Sequence, residues 1–421
     1  MTRVNPSHLL IELEHVLESD PLIDEVGFVH PSQFLVLNGD QPQTKNISEM
    51  PSGSDANASG NFWNRDHKLG ISIGVLLPLY NAAKQAFMEA VERYKKELKE
   101  EYGEDSVSAS FFNSLDCLEN DVMKHSRALL LLSSDFGTAW NSRKQIVSKK
   151  QQLAMFVDEL HLSKLILSYS PKSERAWSHR RWAIKIISRK FVNLQEIVEE
   201  ESELVKGLAE RSKMNYRAWN HRCWLVSYMS RGQILHELRK SKDWAGLNVA
   251  DSSCFHYRAR LLLWLLDHVG NCNQDANFGV ELYLVWKEEL NWVEGLIKRY
   301  IGREALWLHR RFLSVCWINH FATLSLNAPG QDIDKSLLTH DTDIFISNEL
   351  QLFQSCTVIP DNNFEDYKAQ ATYAATYIMW LMKQVPEFPK VEASKLNILL
   401  KELCPEKSTI WDGLISLCGN I

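Results

Sequence analysis

Proline is nearly missing from the middle of this chain. Of its 12 prolines, only Pro171 falls between Pro78 and Pro329. Proline removes a backbone donor and breaks helix interiors, so a stretch of about 250 residues almost free of it reads as helix after helix. Long apolar runs are missing too: none approaches the ~18 residues that a membrane span requires. The 8 cysteines include no C-x-x-C pair, which argues against both a zinc ribbon and a disulfide framework. A strong cationic balance is absent, and the formal charge of −6 speaks against binding duplex nucleic acid. The segment Met1 to Pro21 is amphipathic and carries Glu12, Glu14 and Glu18. It lacks the basic start and small-residue cleavage site of a secretory signal, so the expected location is the cytoplasm. No Walker loop, G-x-S-x-G elbow or dinucleotide fingerprint occurs, and the chain offers no self-contained catalytic constellation.

What is present suits a helical array. With 421 residues, 45% hydrophobic and 24% charged, the chain exceeds what one core usually serves, so it forms either several domains or stacked repeats. Near the amino terminus, Val26-Gly-Phe-Val, Phe34-Leu-Val-Leu and Leu69-Gly-Ile-Ser-Ile alternate in the manner of strands and predict a small β element. Between them Gly39 to Gly60 is polar and reads as a mobile loop, and its sequon matches at Asn46 and Asn57 carry no weight without a secretory signal. From Val75 the pattern is helical, with Glu89, Glu92, Arg93 and Lys96 opposite Tyr80, Ala83, Phe87 and Val91. Three regions follow: 1–84 with the helix, β element and loop, 85–330 with repeats, and 331–421 as a helical extension.

The repeats are found by self-similarity. Five segments pair an aromatic with an arginine three residues later: Trp140 and Arg143, Trp177 and Arg180, Trp219 and Arg222, Phe255 and Arg258, Trp307 and Arg310. The aromatics are spaced by 37, 42, 36 and 52 residues, a period that suits a helix–turn–helix unit with insertions in the longer intervals. Turn-like Ser, Asp and Asn residues precede most copies, so each pair is expected in the first turns of the second helix of its unit. The acidic run Glu196, Glu199, Glu200, Glu201 and Glu203 falls on an intervening helix and predicts a rim polarised by charge.

The large aromatics read as core. Five arginines in register imply that each guanidinium meets something repeated, such as the carbonyl end of a neighbouring helix. His179, His221 and His309 lie in different repeats with no second ligand at helical spacing, so no metal site is expected in this chain. An RNA-binding array would need the signature aromatics free for stacking, and their burial would remove that reading.

At Asn215-Tyr216-Arg217-Ala218-Trp219-Asn220-His221-Arg222 and Lys172-Ser-Glu-Arg-Ala-Trp177-Ser-His-Arg-Arg181 the chain resembles the protein prenyltransferase α-subunit repeat, over roughly residues 85–330. The resemblance implies an all-α array of helical hairpins, and an α subunit that positions isoprenoid diphosphate and protein substrate for a separate β subunit. It places zinc in that β subunit and none here. It further implies geranylgeranyl diphosphate as co-substrate, the β subunit of Rab geranylgeranyltransferase as partner, and a substrate with C-terminal cysteines of the SNARE type. The differing alternative is a non-catalytic helical-repeat scaffold that binds peptides or protein partners.

Individual roles carry over by position. The family lysine that contacts the diphosphate corresponds to Lys172, where a compact ammonium would stabilise growing negative charge. Tyr216 keeps its family place near the diphosphate. The family tyrosine before the second tryptophan is replaced by Glu174, and the glutamine that meets the substrate carboxylate by Arg175. Arg217 stands where histidine is frequent, and both arginines are candidate substrate contacts. Phe255 replaces tryptophan and loses an N–H donor. The ending Cys418-Gly-Asn-Ile421 reads as a helix stop rather than a prenylation box, whose middle positions prefer aliphatic residues.

Overall fold

In a computed structural model, the residues described are 5–37, 60–101, 109–191, 194–212, 214–268, 276–322, 335–358, 365–385, 393–403, 405, 408–409 and 411–413. The loop expected at 39–60 lies outside them apart from Gly60, as do both sequon asparagines and the carboxyl-terminal Cys418 to Ile421. The fold is all-α with one small sheet. It divides into two compact units, residues 1–222 and 223–421.

The first unit opens with α1, Pro6–Ser19, capped by the side chain of Asn5 and started by proline at its first position, both favourable at a helix entry. The strands are β1 (Glu25–Val29), β2 (Phe62–Arg65) and β3 (Lys68–Ser72), in the order β1-β3-β2. β1 runs parallel to β3 with Val26 beside Leu69, and β2 antiparallel with Asn64 beside Leu69. Two of the three alternating stretches thus pair as expected. The third does not: Phe34-Leu-Val-Leu belongs to α2, Pro31–Leu37, where Pro31 presets the helical φ of the first turn. The unforeseen strand β2 turns into β3 through Asp66 and His67, both at positive φ, the backbone that a two-residue hairpin demands.

Beyond β3 the chain is helical. α3 (Leu76–Glu101) packs on α1 and on α4 (Ala109–Leu132), and its predicted inward face is buried at Ala83, Phe87 and Val91. The hairpins of this unit are α4 with α5 (Gly137–Lys150), α6 (Leu153–Tyr169) with α7 (Glu174–Lys190), and α8 (Leu194–Arg211) with α9 (Tyr216–Leu225), whose last turn enters the second unit. The second unit continues with α10 (Arg231–Leu247) and α11 (Ser252–Asp267), then α12 (Ala276–Arg299) and α13 (Glu304–Cys316). It closes with α14 (Lys335–Cys356), α15 (Glu365–Gln384) and α16 (Ala393–Leu403).

The signature aromatic is the fourth residue of α5, α7, α9, α11 and α13, as expected for the second helix of each unit. Ser173, Asn215 and Asp251 cap their helices with side-chain oxygens. Phe136 and Arg303 occupy the same place without a side-chain cap. All five aromatics are at most 4% exposed, so none is available to stack on a nucleic-acid base. Three indoles also find acceptors: Trp140 donates to the carbonyl of Ser134, Trp177 to that of Pro171, and Trp307 to the side chain of Gln370. Cys254, Cys316 and Cys356 are buried and free of disulfides.

Candidate functional site

The signature arginines reach beyond helix carbonyls. Arg143 sends Nε and Nη2 to the carboxylate of Glu159 at 2.9 and 2.5 Å, and Nη1 to the carbonyl of Met123 and the hydroxyl of Ser126. Arg180 repeats this with Glu201, Leu160 and Ser163. Arg258 does so with Glu289, Leu238 and Ser241. Arg310 joins Glu349 to the carbonyl of Leu290. Each guanidinium therefore ties its own first helix to the first helix of the next hairpin. Arg222 is fully buried, with its guanidinium carbon 5.3 Å over the Trp219 ring.

A second donor meets each carboxylate. His179 Nε2 lies 2.7 Å from Glu159, His221 Nε2 2.7 Å from Glu201, and His309 Nε2 3.0 Å from Glu289. Tyr377 plays this part with Glu349, and Tyr257 donates to Glu237 at 2.6 Å. A carboxylate only accepts, so the neutral imidazoles carry their proton on Nε2. Burial alone would raise the glutamate pKa values, but the neighbouring arginine charge and the His hydrogen bond outweigh it, holding Glu159 and Glu289 down at about 2. Glu201 is lowered by the same opposition of burial and Arg180. Burial lowers His179, His221 and His309 against the pull of their glutamates. The histidines are thus structural donors, and among the described residues no group of His, Cys, Asp and Glu is placed to hold a metal ion.

The sequence does not single out these glutamates, and it places Glu201 in the acidic run of a rim polarised by charge. The structure corrects that grouping: Glu201 is 2% exposed, because Arg180 and His221 satisfy its oxygens. A periodic signal did exist. Glu159, Glu201, Glu237 and Glu289 each precede their His or Tyr partner by 20 residues.

With the signature consumed by architecture, the exposed candidates are those at the entrances of α7 and α9. Lys172 is exposed in the turn before α7. The carbonyl of Pro171, its neighbour, accepts from the Trp177 indole at 3.0 Å and from the Asn215 amide at 2.9 Å, so two buried side chains hold this turn. Asn215 was read only as a helix cap, and its second bond is what joins the two entrances. Tyr216 follows it, 58% exposed. Glu174 ion-pairs with Arg217 and, at 3.0 Å, with Arg181, which offsets the negative charge beside Lys172. Arg175 faces the other way. Its Nη1 lies so close to Gly137, at the start of α5, that an added Cβ there would meet it at 2.5 Å. Lys144 of α5, 5.7 Å from the Trp182 ring centre, has its pKa lowered by burial and then by Arg175. The structure therefore joins Lys172, Tyr216 and Arg217 through Glu174 and Asn215, and sets Arg175 beside Lys144.

These features define a helical-hairpin repeat protein whose hairpins are clamped by buried Arg–Glu–His triads, with a basic edge at the entrances of its second helices. The profile of the protein prenyltransferase alpha subunit repeat matches residues 156–187, 198–229 and 286–316, which contain the signature pairs of α7, α9 and α13. Over those residues the chain is similar to the protein prenyltransferase alpha subunit repeat. It is 31% identical over 263 residues to protein prenyltransferase alpha subunit repeat-containing protein 1 of Danio rerio, a match covering 53% of this chain and 60% of that protein. The Homo sapiens protein of the same name is 33% identical over 228 residues, 44% of this chain and 56% of that one. The 1-A form of Xenopus laevis is 33% identical over 226 residues, with 44% and 52% covered. The chain thus matches little more than half the length of these relatives. No helix among the described residues is long and apolar enough to cross a membrane.

Proposed function

We propose that this chain is the α subunit of a heterodimeric protein geranylgeranyltransferase, working in the cytoplasm with a zinc-bearing β subunit, that of Rab geranylgeranyltransferase being the first candidate. The observation that carries the reading is the turn of Lys172 at the amino end of α7, an exposed ammonium in a turn that Trp177 and Asn215 hold through the carbonyl of Pro171. An ammonium beside the positive end of a helix favours a diphosphate, and favours it more as the leaving group gains charge. Tyr216, exposed on the adjoining helix entrance, supplies a hydroxyl donor to the same anion. Arg217 is held by Glu174, so Arg175 is the readier of the two arginines to grip a substrate carboxylate. The zinc chemistry belongs to the β subunit, and this chain's part is to hold the geranylgeranyl diphosphate and the cysteine-bearing tail of a SNARE-type substrate.

The test is reconstitution. The purified chain is mixed with the β subunit of Rab geranylgeranyltransferase and with those of related prenyltransferases, and transfer from labelled geranylgeranyl diphosphate to a SNARE carrying C-terminal cysteines is measured. Transfer that requires both chains is expected. Failure of every β subunit to bind or to give transfer would favour the scaffold reading, in which the helical array serves only to hold protein partners.

A further inference from the structure

A pocket of about 390 Å³ opens in the first unit between α1, α4 and α6. Its wall includes Leu17, Ile23, Leu162 and Leu165, all buried, with Met123 and Met155 as adaptable sides. The volume falls near the lower end of the ~300–1,000 Å³ range of small-molecule sites.

Four charged side chains of the pocket are engaged with one another or with the first hairpins, while Asp158 and His161 stand exposed at its edge. Glu14 is bonded by His125 at 2.6 Å and by Lys124 at 3.5 Å, and Lys124 also reaches Glu18 at 3.1 Å. Arg143 is engaged by Glu159. Arg127 differs from every one of the signature arginines. It lines the pocket part-buried, and its guanidinium makes no hydrogen bond or ion pair with the described residues. Burial lowers its pKa, and the charges of Asp158, Glu18 and Glu159 do not make up the loss. Such a cation gains from a ligand that brings its own acceptor oxygens.

We propose that this pocket binds one monocarboxylate with an aliphatic body, its carboxylate forked on Arg127 and its hydrocarbon against Leu17, Ile23, Leu162 and Leu165. A guanidinium matches a carboxylate with two parallel bonds. A phosphate dianion is disfavoured, because Glu18 and Asp158 stand on the same pocket and would repel the second charge. A free aliphatic acid and the carboxyl end of a peptide with apolar last residues share this chemistry. The site uses none of the residues named under the proposed function.

The experiment is calorimetric titration of the full chain with octanoate, octylamine, inorganic phosphate, and N-acetyl-leucyl-leucine as its free acid and as its amide. Saturable binding of octanoate or the peptide acid at one site is expected, with octylamine, phosphate and the amide silent. The tighter of the two acids identifies the source. Arg127→Gln should weaken binding about tenfold or more while leaving the circular dichroism and melting of the chain unchanged, since no partner among the described residues is lost. Met155→Trp, which fills the pocket and spares Arg127, should also abolish binding, and it decides the matter should Arg127→Gln misfold. No saturable binding of either acid, wild-type affinity in Arg127→Gln or in Met155→Trp, or equal binding of octylamine overturns the proposal.

Discussion

Arg180 and His221, from successive hairpins, close on one buried carboxylate, with Arg180 Nε at 2.8 Å and His221 Nε2 at 2.7 Å from Glu201 Oε1. Removing the shared acceptor strands two buried donors at once. Glu201→Ala is expected to cost about 3–5 kcal/mol, the range for breaking a buried pair by deleting one partner. Glu200→Ala, one residue earlier and exposed, should stay within about 0.5 kcal/mol. Chemical denaturation of the two variants checks the contrast, and equal effects would show that Glu201 is held no more firmly than its exposed neighbour.

The triads also fix how stability responds to acid. Burial depresses His179, His221 and His309 below the ordinary histidine value of 6.5, so below that pH the unfolded chain takes up protons that the folded chain refuses. Stability then falls as pH falls. Glu159 and Glu289 sit at about 2 against an ordinary 4.5. Their contribution is full above 4.5 and is lost progressively as pH drops toward about 2. Melting temperature measured from pH 7.5 to 2.5 should therefore decline in two stages, the first beginning near 6.5 and the second near 4.5. A melting temperature that rises on acidification through 6.5 would contradict the first assignment.

Gly302, in the turn before α13, has φ of +72°, and a Cβ there would meet the backbone oxygen of Asp366 at 2.8 Å. Its N–H donates to Gln370, which also accepts from the Trp307 indole and donates to the carbonyl of Ile297. Gly302→Ala combines a strained backbone with a clash and should cost more than ~1 kcal/mol. Gly246→Ala is the control, on an α-helix with nothing nearer than 3.9 Å to the new methyl. Melting of the two variants separates the outcomes.

Much of the fold was legible because period and composition act locally. The scarcity of proline and the Trp-x-x-Arg spacing identified the hairpins and the burial of Trp177 and Trp219 without any knowledge of their neighbours. The arginines are expected to meet carbonyls at helix ends, but the carbonyls they reach, of Met123, Leu160, Leu238 and Leu290, lie within helices rather than at their last turns. The glutamates were not legible, since an acid on an amphipathic helix such as α8 reads as solvated unless its partner one hairpin away is known. Phe34 was misread because four apolar residues fit a strand or a helix equally, and only the preceding Pro31 decides. Asn215 was legible as a cap, but its bond to Pro171 depends on two turns meeting in space.

The last prediction separates cations that look alike in sequence. Lys172 is exposed and Arg180 is 4% exposed. Arg180 serves Glu201, Leu160 and Ser163 together, so Arg180→Ala leaves a buried carboxylate and a buried carbonyl without their donor. It should lose about 3–5 kcal/mol and fail at folding or at pairing with a β subunit. Lys172→Ala removes no side-chain bond to the described residues, and the turn is held through the carbonyl of Pro171 by Trp177 and Asn215. Its melting and its β-subunit affinity should match the wild type, while single-turnover transfer from geranylgeranyl diphosphate falls by about tenfold or more, the loss expected when one charge at a departing anion is removed. Lys172→Arg, which keeps the charge but not its compact shape, should recover part of the rate. Normal transfer by Lys172→Ala would take the diphosphate contact away from this residue. An Arg180→Ala chain that folds and pairs normally would show that the triads do not hold the hairpins together.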